Sequence, residues 1–262
     1  MGNMKVKITF AELKDEKYIE QLLSEADLPY NDVPNHISDF LLASINDVII
    51  GVIGIEILGK FGLLRSLAVS PSKQGKGIGK LLCERMASYA SLQEIRNLYL
   101  LTTTAESFFE NLGFRKVARE NLAEEIKSTE EFKNICPVSA VCMVKEISGK
   151  VHYYPKDILK LQEDVKGAKM WAVSLDKTML TYFKVSPNCS FESHSHESEQ
   201  ITFVLCGELF FDIKGKIHGV KEGETIAIPS NVPHAVFTAD KSVKAVDAWS
   251  PVMSKYRDKT SK

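Results

Sequence analysis

The hydrophobic pattern of the chain changes once, near residue 148, and this change limits the fold more than any other feature. Up to about Ile147, strand-like segments and segments with helical apolar spacing follow one another. Beyond that point helical spacing nearly vanishes, and short alternating segments with Gly, Pro and Asn turns run to Trp249. We therefore predict an α/β domain at 1–147, a linker at 148–150 (Ser-Gly-Lys) and an all-β domain at 151–262.

The first half divides into alternating strands and helices. Apolar residues recur with helical spacing at 16–26, 77–91 and 105–112. Two alternating segments flank Asn46-Asp47, which predicts a hairpin. The predicted strands of this half are 5–10, 40–44, 48–58, 63–69, 98–101, 114–117 and 138–146.

Composition excludes several classes of partner. The formal net charge is -1 and no basic face stands out, which argues against nucleic acids and membrane surfaces. The longest apolar stretch, 48–58, is interrupted by Gly51, Gly54 and Glu56, so we predict that it cannot span a bilayer. The polar start indicates no signal peptide. We expect a cytoplasmic protein with a small-molecule substrate.

The five cysteines support the same compartment. They are odd in number, scattered and never in CxxC spacing, which is typical of reduced thiols in a cytosolic protein. Cys136 and Cys142 could together bind a soft metalloid. We favour the alternative that they are buried strand cysteines.

A glycine-rich loop between a predicted strand and a predicted helix indicates a phosphate site. Glycines let a backbone approach an anion closely, and the first helical turn offers free N–H groups and the positive end of the helix dipole. Lys73, Lys76 and Lys80 add positive charge nearby. The spacing of Gly75, Gly77 and Gly79-Lys80 fits neither a Walker A loop nor the dinucleotide fingerprint.

The loop fits the pattern Gln-x-x-Gly-x-Gly, and this pattern resembles the acetyl-CoA pyrophosphate loop of GNAT N-acetyltransferases. The stretch 107–114 (SFFENLGF) also resembles the helix and strand that follow the splayed central strands of that family. The resemblance implies a mixed, splayed central sheet and an acetyl-CoA site. The expected cofactor-binding residues are Leu67, Ala68, Val69, Gln74, Gly75, Lys76, Gly77, Ile78, Gly79, Lys80 and Phe109.

Segments at 62–69, 102–105 and 132–141 narrow the resemblance to GNAT proteins associated with arsenic resistance. That likeness implies N-acetylation of a small primary amine, such as an amino-acid-like arsenical or phosphinate. Many members of the GNAT family carry a Tyr where this chain has Phe109. Because a phenyl ring cannot donate a proton, water or an unidentified group must reprotonate the leaving thiolate.

Three residues are candidates for catalysis of acetyl transfer. The backbone N–H of Val69 stands where GNAT enzymes polarise the thioester. Glu56 is an isolated carboxylate in an apolar strand, so it is either a base or amine-binding group or a side chain that faces solvent. Arg65 either holds a substrate carboxylate or arsonate in bidentate fashion or forms a structural ion pair.

The second half contains a candidate metal site. His194, His196 and Gln200 share parity, so we expect them on one face of a strand, with His234 brought opposite by a second strand. Three imidazoles and an amide oxygen suit one divalent ion such as Zn, Mn, Fe or Ni. A buried structural role for each histidine is the alternative.

This half resembles the cupin family from about 165 to 250. The motif Gly-x5-His-x-His-x3-Glu-x6-Gly is matched up to Gly207, with Asn188 for the first Gly and Gln200 for Glu. The resemblance implies a jelly-roll barrel and a homodimer formed through this domain. Some similar cupins open unsaturated uronates with an Asp and an Arg, but Met253 stands where that Arg would be, six residues after Asp247.

We therefore expect an N-acetyltransferase fused to a metal-binding cupin. One alternative is a GNAT domain that binds CoA without turnover, attached to a cupin that acts as a metal-dependent sensor or binding module. A second alternative is an isomerase or sugar-acid enzyme centred on the cupin.

Overall fold

A computed structural model describes residues 6–147 and 153–257 of the chain. The chain divides into two units, Met1–Ile158 and Leu159–Lys262. The predicted linker at 148–150 lies outside the described residues. Residues just after it belong to the first unit, where the Arg85 Nε donates a hydrogen bond to Asp157 Oδ2 over 3.0 Å.

The first unit is built on one sheet of seven described strands, with the order β1-β2-β3-β4-β5-β7-β6. Every neighbouring pair is antiparallel except β4 and β5, which are parallel, so the sheet is mixed as predicted. The predicted hairpin is formed by β2 and β3. The strands are β1 (Lys7–Phe10), β2 (Phe40–Ile45), β3 (Val48–Leu58), β4 (Phe61–Val69), β5 (Asn97–Thr102), β6 (Arg115–Lys116) and β7 (Val141–Glu146).

Helices and turns of helix connect these strands. The three predicted helices are confirmed as α1 (Glu16–Ser24), α3 (Ile78–Leu92) and α4 (Glu106–Asn111). The sequence patterns did not indicate α2 (Val33–His36), α5 (Glu124–Lys127) or a π-helical turn at Glu131–Ile135. Short 3-10 turns lie at Leu13–Asp15, Ile37–Asp39, Pro71–Lys73, Arg119–Asn121 and Lys156–Ile158.

Both faces of the sheet are covered by apolar side chains. Leu82 and Met86 of α3 are fully buried in one cluster, where they join Leu41 of β2. Phe40, the neighbour of Leu41, points to the other face and joins Ile19 of α1 in a second cluster. The alternation of a strand therefore supplies apolar side chains to two helical layers at once.

The central strands separate along their length. β4 and β5 pair only where Phe61–Leu63 faces Asn97–Tyr99, and beyond that point β4 has no partner on this side among the described residues. β4 is also irregular opposite β3, between residues 65 and 68, and Ser66 there has a φ of 55°. Bulges of this kind bend a strand and increase its twist. The sheet is therefore open beside Leu64–Val69.

The described residues of the second unit form two antiparallel sheets and one short helix, α6 (Ser254–Arg257). Its described strands form a six-stranded sheet, β15-β12-β17-β10-β9-β8, and a four-stranded sheet, β11-β16-β13-β14. This confirms the predicted all-β architecture. The strands are β8 (Gln162–Val165), β9 (Ala168–Ser174), β10 (Met179–Val185), β11 (Ser190–His194), β12 (Glu199–Cys206), β13 (Glu208–Ile213), β14 (Lys216–Lys221), β15 (Thr225–Ile228), β16 (His234–Phe237) and β17 (Val243–Ser250).

Alternating residues of these strands form the interior. On β17, Val243, Ala245, Asp247 and Trp249 are buried, and the residues between them are more exposed. Asp247 is thus a buried carboxyl group on a strand whose other inward-facing residues are apolar. Among the described residues, no helix is both long and apolar enough to cross a bilayer.

The contact between Gly54 and Phe40 yields a stability prediction for the first unit. A Cβ at Gly54 would lie 2.8 to 3.0 Å from the buried ring of Phe40. We expect Gly54→Val to lower the free energy of unfolding by about 1–3 kcal/mol, the usual range for overpacking. Urea unfolding followed by circular dichroism at 222 nm measures this. Gly59→Asn is the control, because Gly59 faces open space at a φ of 61°; equal losses in both variants would contradict the prediction.

Candidate functional site

A cleft of about 560 Å³ lies at the N-terminus of α3. Gly77 caps this helix with a φ of 78°, and Gly75 has a φ of 71°. A Cβ at either glycine would meet nothing within 4 Å, so the space before the helix is open. The first N–H groups of a helix have no partner within the helix. The cleft therefore presents backbone donors and a positive dipole end to an anion.

The structure brings most, but not all, of the predicted cofactor-binding residues to this cleft. The cleft is lined by most of them, namely Leu67, Val69, Gln74, Gly75, Gly77, Ile78, Gly79 and Lys80. Ala68 is instead buried against α1, and Lys76 donates a hydrogen bond to the Ser72 carbonyl over 3.1 Å. Phe109 lines a neighbouring pocket.

Two side chains shape the cleft in ways that the sequence patterns did not indicate. The amide Nε2 of Gln74 donates a hydrogen bond to the Val69 carbonyl over 3.0 Å and so ties the loop to the end of β4. The Phe108 ring lies 3.4 Å from where a Cβ on Gly79 would stand, and it lines the cleft. A larger residue than glycine at 79 would therefore press on this ring.

A second pocket, of about 320 Å³, lies where β4 and β5 separate. It shares Leu67, Thr104 and Ala105 with the cleft, so the two spaces are adjoining. Its walls are polar and apolar in nearly equal parts, and the charged residues that line it are Asp27, Arg65 and Glu131. A molecule in the cleft could therefore extend past Leu67 toward these charges.

Arg65 is the centre of an ion-pair network beside this pocket. It is only 6% exposed, and its Nη2 lies 2.6 Å from Asp32 Oδ2 and 3.5 Å from Glu131 Oε2. Its Nη1 lies 4.0 Å from Glu56 Oε2. Three carboxylates thus surround one guanidinium. The two nearest both lie at Nη2, whereas the buried Nε has no hydrogen-bond partner within the described part of the chain.

Glu56 and Glu131 are placed differently with respect to the pocket. Glu56 lies beside Arg65 but is not among the residues that line the pocket. Glu131, which the sequence patterns did not indicate, does line it. Its position depends on the π-helical turn at Glu131–Ile135, and such turns are frequent at functional sites.

The thiol of Cys136 also faces Glu131. Its Sγ donates a hydrogen bond to Glu131 Oε1 over 3.1 Å. Burial, together with the charge of Glu131, raises the pKa of the Cys136 thiol to about 12, and burial raises the pKa of Cys142 as well. Both thiols are therefore protonated at neutral pH, which disfavours them as nucleophiles or thiolate ligands.

In the second unit, three histidines converge. His194 ends β11, His234 begins β16 directly opposite it, and His196 lies in the loop after β11. One ring nitrogen from each lies within 4.8 Å of those of the other two. Such a group is the right size to share one ion.

Backbone carbonyls orient all three rings. Each Nδ1 lies close to a main-chain oxygen, and since a carbonyl can only accept, each Nδ1 carries the hydrogen. The Nε2 lone pairs are then free for a metal ion, in the arrangement usual for metal-bound histidine. The distances are 2.8 Å from His194 to the Glu192 carbonyl, 2.6 Å from His196 to the Ser198 carbonyl and 2.8 Å from His234 to the Val232 carbonyl.

His234 shows most clearly that these lone pairs lack a protein partner. Its Nε2 is buried and has no hydrogen-bond partner within the described part of the chain. Burial lowers the pKa of His234, and the charges of His194 and His196 lower it further, while the hydrogen bond to Val232 opposes them. The neutral ring, which can bind a metal ion, is thus favoured.

Gln200 is held with its oxygen toward the histidines. The Thr202 hydroxyl donates to Asp247 Oδ1 over 2.6 Å and accepts a hydrogen bond from the Gln200 amide Nε2 over 3.0 Å. The amide oxygen of Gln200 is left 3.2 Å from His196 Nε2. Two atoms with lone pairs then face each other, and a shared cation would relieve their repulsion.

A small cavity lies beneath these ligands. It measures about 40 Å³ and is lined by His194, Gln200, His234, Asp247 and apolar side chains. Burial raises the pKa of Asp247 to about 6, although hydrogen bonds from Thr202 and Gln200 oppose the rise. A space of this size accommodates about one water molecule.

The reason that we gave for this convergence is wrong in one respect. Residues 194, 196 and 200 do not share one strand, because β11 ends at His194 and β12 begins at Glu199. Strand parity therefore cannot place all three side chains. The loop between the strands turns the chain, and the hydrogen bond from His196 to the Ser198 carbonyl sets the ring there.

Comparison with known proteins assigns a family to part of each unit. Residues 36–116 match the acetyltransferase (GNAT) domain, and residues 181–249 match the cupin domain. The chain thus contains one segment that matches the GNAT domain and a later segment that matches the cupin domain. The predicted fold classes of both halves are confirmed.

Two curated proteins show similarity to parts of the chain. An uncharacterized N-acetyltransferase of Chlorobaculum tepidum is 30% identical over 96 residues, which is 36% of this chain and 61% of that protein. An acireductone dioxygenase of Tuber melanosporum is 33% identical over 75 residues, 24% of this chain and 43% of that protein. The chain thus matches less than two thirds of the length of either relative.

Solved structures resemble each domain separately. N-acetylglutamate synthase from Neisseria gonorrhoeae, complexed with coenzyme A and L-arginine, has a TM-score of 0.48 and 23% identity, and the match covers 56% of this chain and 34% of that one. KdgF from Halomonas sp. has a TM-score of 0.38 and 18% identity, with 40% of this chain and 97% of that one covered.

The histidine geometry yields a prediction for the metal content of the purified protein. We expect His196→Ala to lower the amount of bound Zn, Mn, Fe or Ni, because it removes one of three converging ring nitrogens. Elemental analysis of the dialysed protein measures this. His218→Ala is the control, since His218 lies on β14 outside the group. Equal metal content in His196→Ala and wild type would refute the site.

The hydrogen-bond chain behind Gln200 yields a second prediction. Thr202→Val keeps the shape of the side chain but removes the hydroxyl that holds the amide. Changes to such supporting groups typically weaken metal binding about 10- to 100-fold. Competition titration with a chromophoric chelator measures the affinity. The prediction fails if Thr202→Val binds metal as tightly as wild type while Gln200→Ala binds it more weakly.

Proposed function

We propose that the first unit is an acetyl-CoA-dependent N-acetyltransferase for a small primary amine. The observation that carries this proposal is the junction of the two spaces at Leu67, Thr104 and Ala105. A cofactor that enters along the glycine-rich loop would reach the gap between β4 and β5, where an amine could approach from the other pocket. The match to the GNAT domain supports the same conclusion.

The residues at the start of α3 fit the pyrophosphate of CoA. Gly75 and Gly77 leave open the space that side chains would fill, and Lys73 and Lys80 also line the cleft. When bound, acetyl-CoA supplies an activated acetyl thioester. The Val69 N–H, at the end of β4, is the proposed hydrogen-bond donor to its carbonyl oxygen.

The chain offers no hydroxyl at the position where many GNAT proteins have a tyrosine. Phe109 is 7% exposed and lines the amine pocket, where it contributes only apolar surface. We therefore assign reprotonation of the leaving thiolate to water. Glu56 acts, in this proposal, through its position beside Arg65 rather than by direct contact with the amine.

Amino-acid-like arsenicals and phosphinates remain candidate acceptors through the resemblance in sequence. Arg65 would be the residue to hold their acid group, but Asp32 and Glu131 lie at its Nη2. Such an acceptor would have to displace a carboxylate of the chain.

For the second unit we propose one divalent first-row metal ion held by His194, His196, Gln200 and His234. Neutral imidazole and amide oxygen suit Zn, Mn, Fe or Ni. Met253 stands where similar uronate-opening cupins carry an Arg, and this favours a metal-dependent sensor or binding module over an isomerase. We place the protein in the cytoplasm, which fits its five free cysteines.

A glycine variant tests the CoA site. Gly77→Val would force a branched residue to a φ of 78° and fill the space before the helix. We expect the dissociation constant for CoA to rise at least about tenfold, which is about 1.4 kcal/mol. Isothermal calorimetry measures it, with Gly59→Asn as a control at another exposed positive-φ glycine. An unchanged dissociation constant for CoA in Gly77→Val would contradict the proposed CoA site.

Thiol release tests the reaction itself. Wild-type protein with acetyl-CoA should release thiol in the presence of at least one of a panel of primary amines, which includes amino-acid-like arsenicals and phosphinates. Heat-treated protein and reactions without amine are the controls. If no amine of the panel causes thiol release while CoA still binds, the alternative of a CoA-binding module without turnover is favoured.

A further inference from the structure

The charge around the amine pocket is unbalanced. Arg65 carries one positive charge, whereas Asp32, Glu56 and Glu131 all lie within 4.0 Å of its guanidinium nitrogens. If all three carboxylates are ionised, the group has a net charge of minus two. The side chains of Asp32, Glu56 and Glu131 are 27%, 21% and 13% exposed, so water screens this excess only in part. A second cation beside the network would reduce the repulsion.

Among the three carboxylates, Glu131 is placed to receive such a cation. Asp32 is bound closely to Arg65, with oxygens 2.6 and 2.7 Å from Nη2. The nearest approach between Arg65 and Glu131 is 3.5 Å, and Glu131 lines the pocket. Its side chain is 13% exposed, so it remains accessible from that space.

The oxygens of Glu131 also have capacity for a further donor. Oε1 accepts one hydrogen bond, from the Cys136 thiol, and an ionised carboxylate offers about four acceptor sites. Arg65 faces Oε2, and Arg119 and Cys142 act on the Cys136 thiol electrostatically. Arg119 is a further cation near this thiol, but its guanidinium donates to main-chain oxygens of Phe132, Pro137 and Ala140 rather than to Glu131.

We propose that Glu131 is the catalytic residue that binds the ammonium group of the acceptor and takes its proton. This inference rests on the acetyl-transfer function proposed above, and it names the acceptor class as a cationic primary amine without an acid group beside the nitrogen. Glu131 accepts one proton from the ammonium group, which leaves a lone pair on nitrogen. That lone pair forms the C–N bond as the C–S bond breaks. The nitrogen then loses its second proton to solvent, and the sulfur takes the proton that Glu131 holds, through water.

Glu131→Gln tests the proposal, because glutamine keeps the size and one oxygen of the side chain but cannot take the proton. Glu130→Gln is the matched control: Glu130 is the exposed neighbour, and it accepts a hydrogen bond from Asn134 over 2.6 Å. The probes are butylamine, 1,4-diaminobutane and glutamate. Binding is measured by calorimetry on the CoA-loaded protein, and turnover by thiol release from acetyl-CoA.

We expect the two cationic amines to bind wild type more tightly than glutamate does, and Glu131→Gln to weaken their binding at least about tenfold. Loss of a general base typically lowers the rate 10²- to 10⁴-fold, so kcat should fall at least about 100-fold at pH 7. Near pH 10 the amine begins to lose its own proton, since alkyl ammonium groups have a pKa near 10.4. The ratio of wild-type to variant kcat should therefore fall toward one.

Amine binding and thiol release together distinguish a failure of this inference from a failure of the proposed acetyl transfer. Binding that depends on Glu131 without any thiol release would support the ammonium site and overturn acetyl transfer. Thiol release that is equal in Glu131→Gln and wild type would overturn the role of Glu131 and leave acetyl transfer standing. If no cationic amine binds wild type more tightly than Glu131→Gln, the ammonium site is refuted. A fall in kcat that is independent of pH would indicate a structural role and also refute the proposal.

Discussion

A buried guanidinium must be compensated, and this requirement organises the open side of the sheet in the first unit. Arg65 stands on β4 close to where that strand separates from β5. Removing a charge from water costs several kcal/mol unless carboxylates lie close. Asp32 comes from the segment before α2, Glu56 from β3 and Glu131 from the π-helical turn. One ion-pair network thus brings three distant segments together around Arg65, and one of them, with Glu131, reaches the wall of the pocket.

Around the three histidines of the second unit, lone-pair acceptors outnumber hydrogen-bond donors, just as negative charges outnumber positive ones around Arg65. The three Nε2 atoms and the Gln200 oxygen are all acceptors, and the carbonyls at each Nδ1 prevent the rings from turning their hydrogens inward. His234 Nε2 is buried without a partner in the described part of the chain, and a buried acceptor without a donor is costly. In both units, acceptor atoms outnumber the donors and cations that face them, and a bound cation of suitable size would compensate for the difference.

The sequence predicted the parts of these sites that are local. The glycines of the loop and the paired histidines lie within a few residues of one another, so spacing alone suggested their chemistry. The partners of Arg65 could not be found in this way, because Asp32 and Glu131 are 33 residues before it and 66 after it. The irregular turns that carry them have no periodic pattern. Strand parity failed at His196 for the same reason, since a loop interrupts the strand.

In the proposed acetyl transfer, the groups near Glu131 limit which of them can protonate the departing thiolate, because Phe109 stands where many GNAT proteins have a tyrosine. Phe109 has no proton to give, and the Cys136 thiol, with a pKa of about 12, is too weak an acid to protonate a departing thiolate of ordinary pKa near 8.5. In the proposed reaction, the proton that Glu131 takes from the amine is therefore the one available to the sulfur. A single carboxylate could accept it in one half of the reaction and return it through water in the other. The absent hydroxyl at Phe109 and the unbalanced charge at Arg65 then have a common explanation.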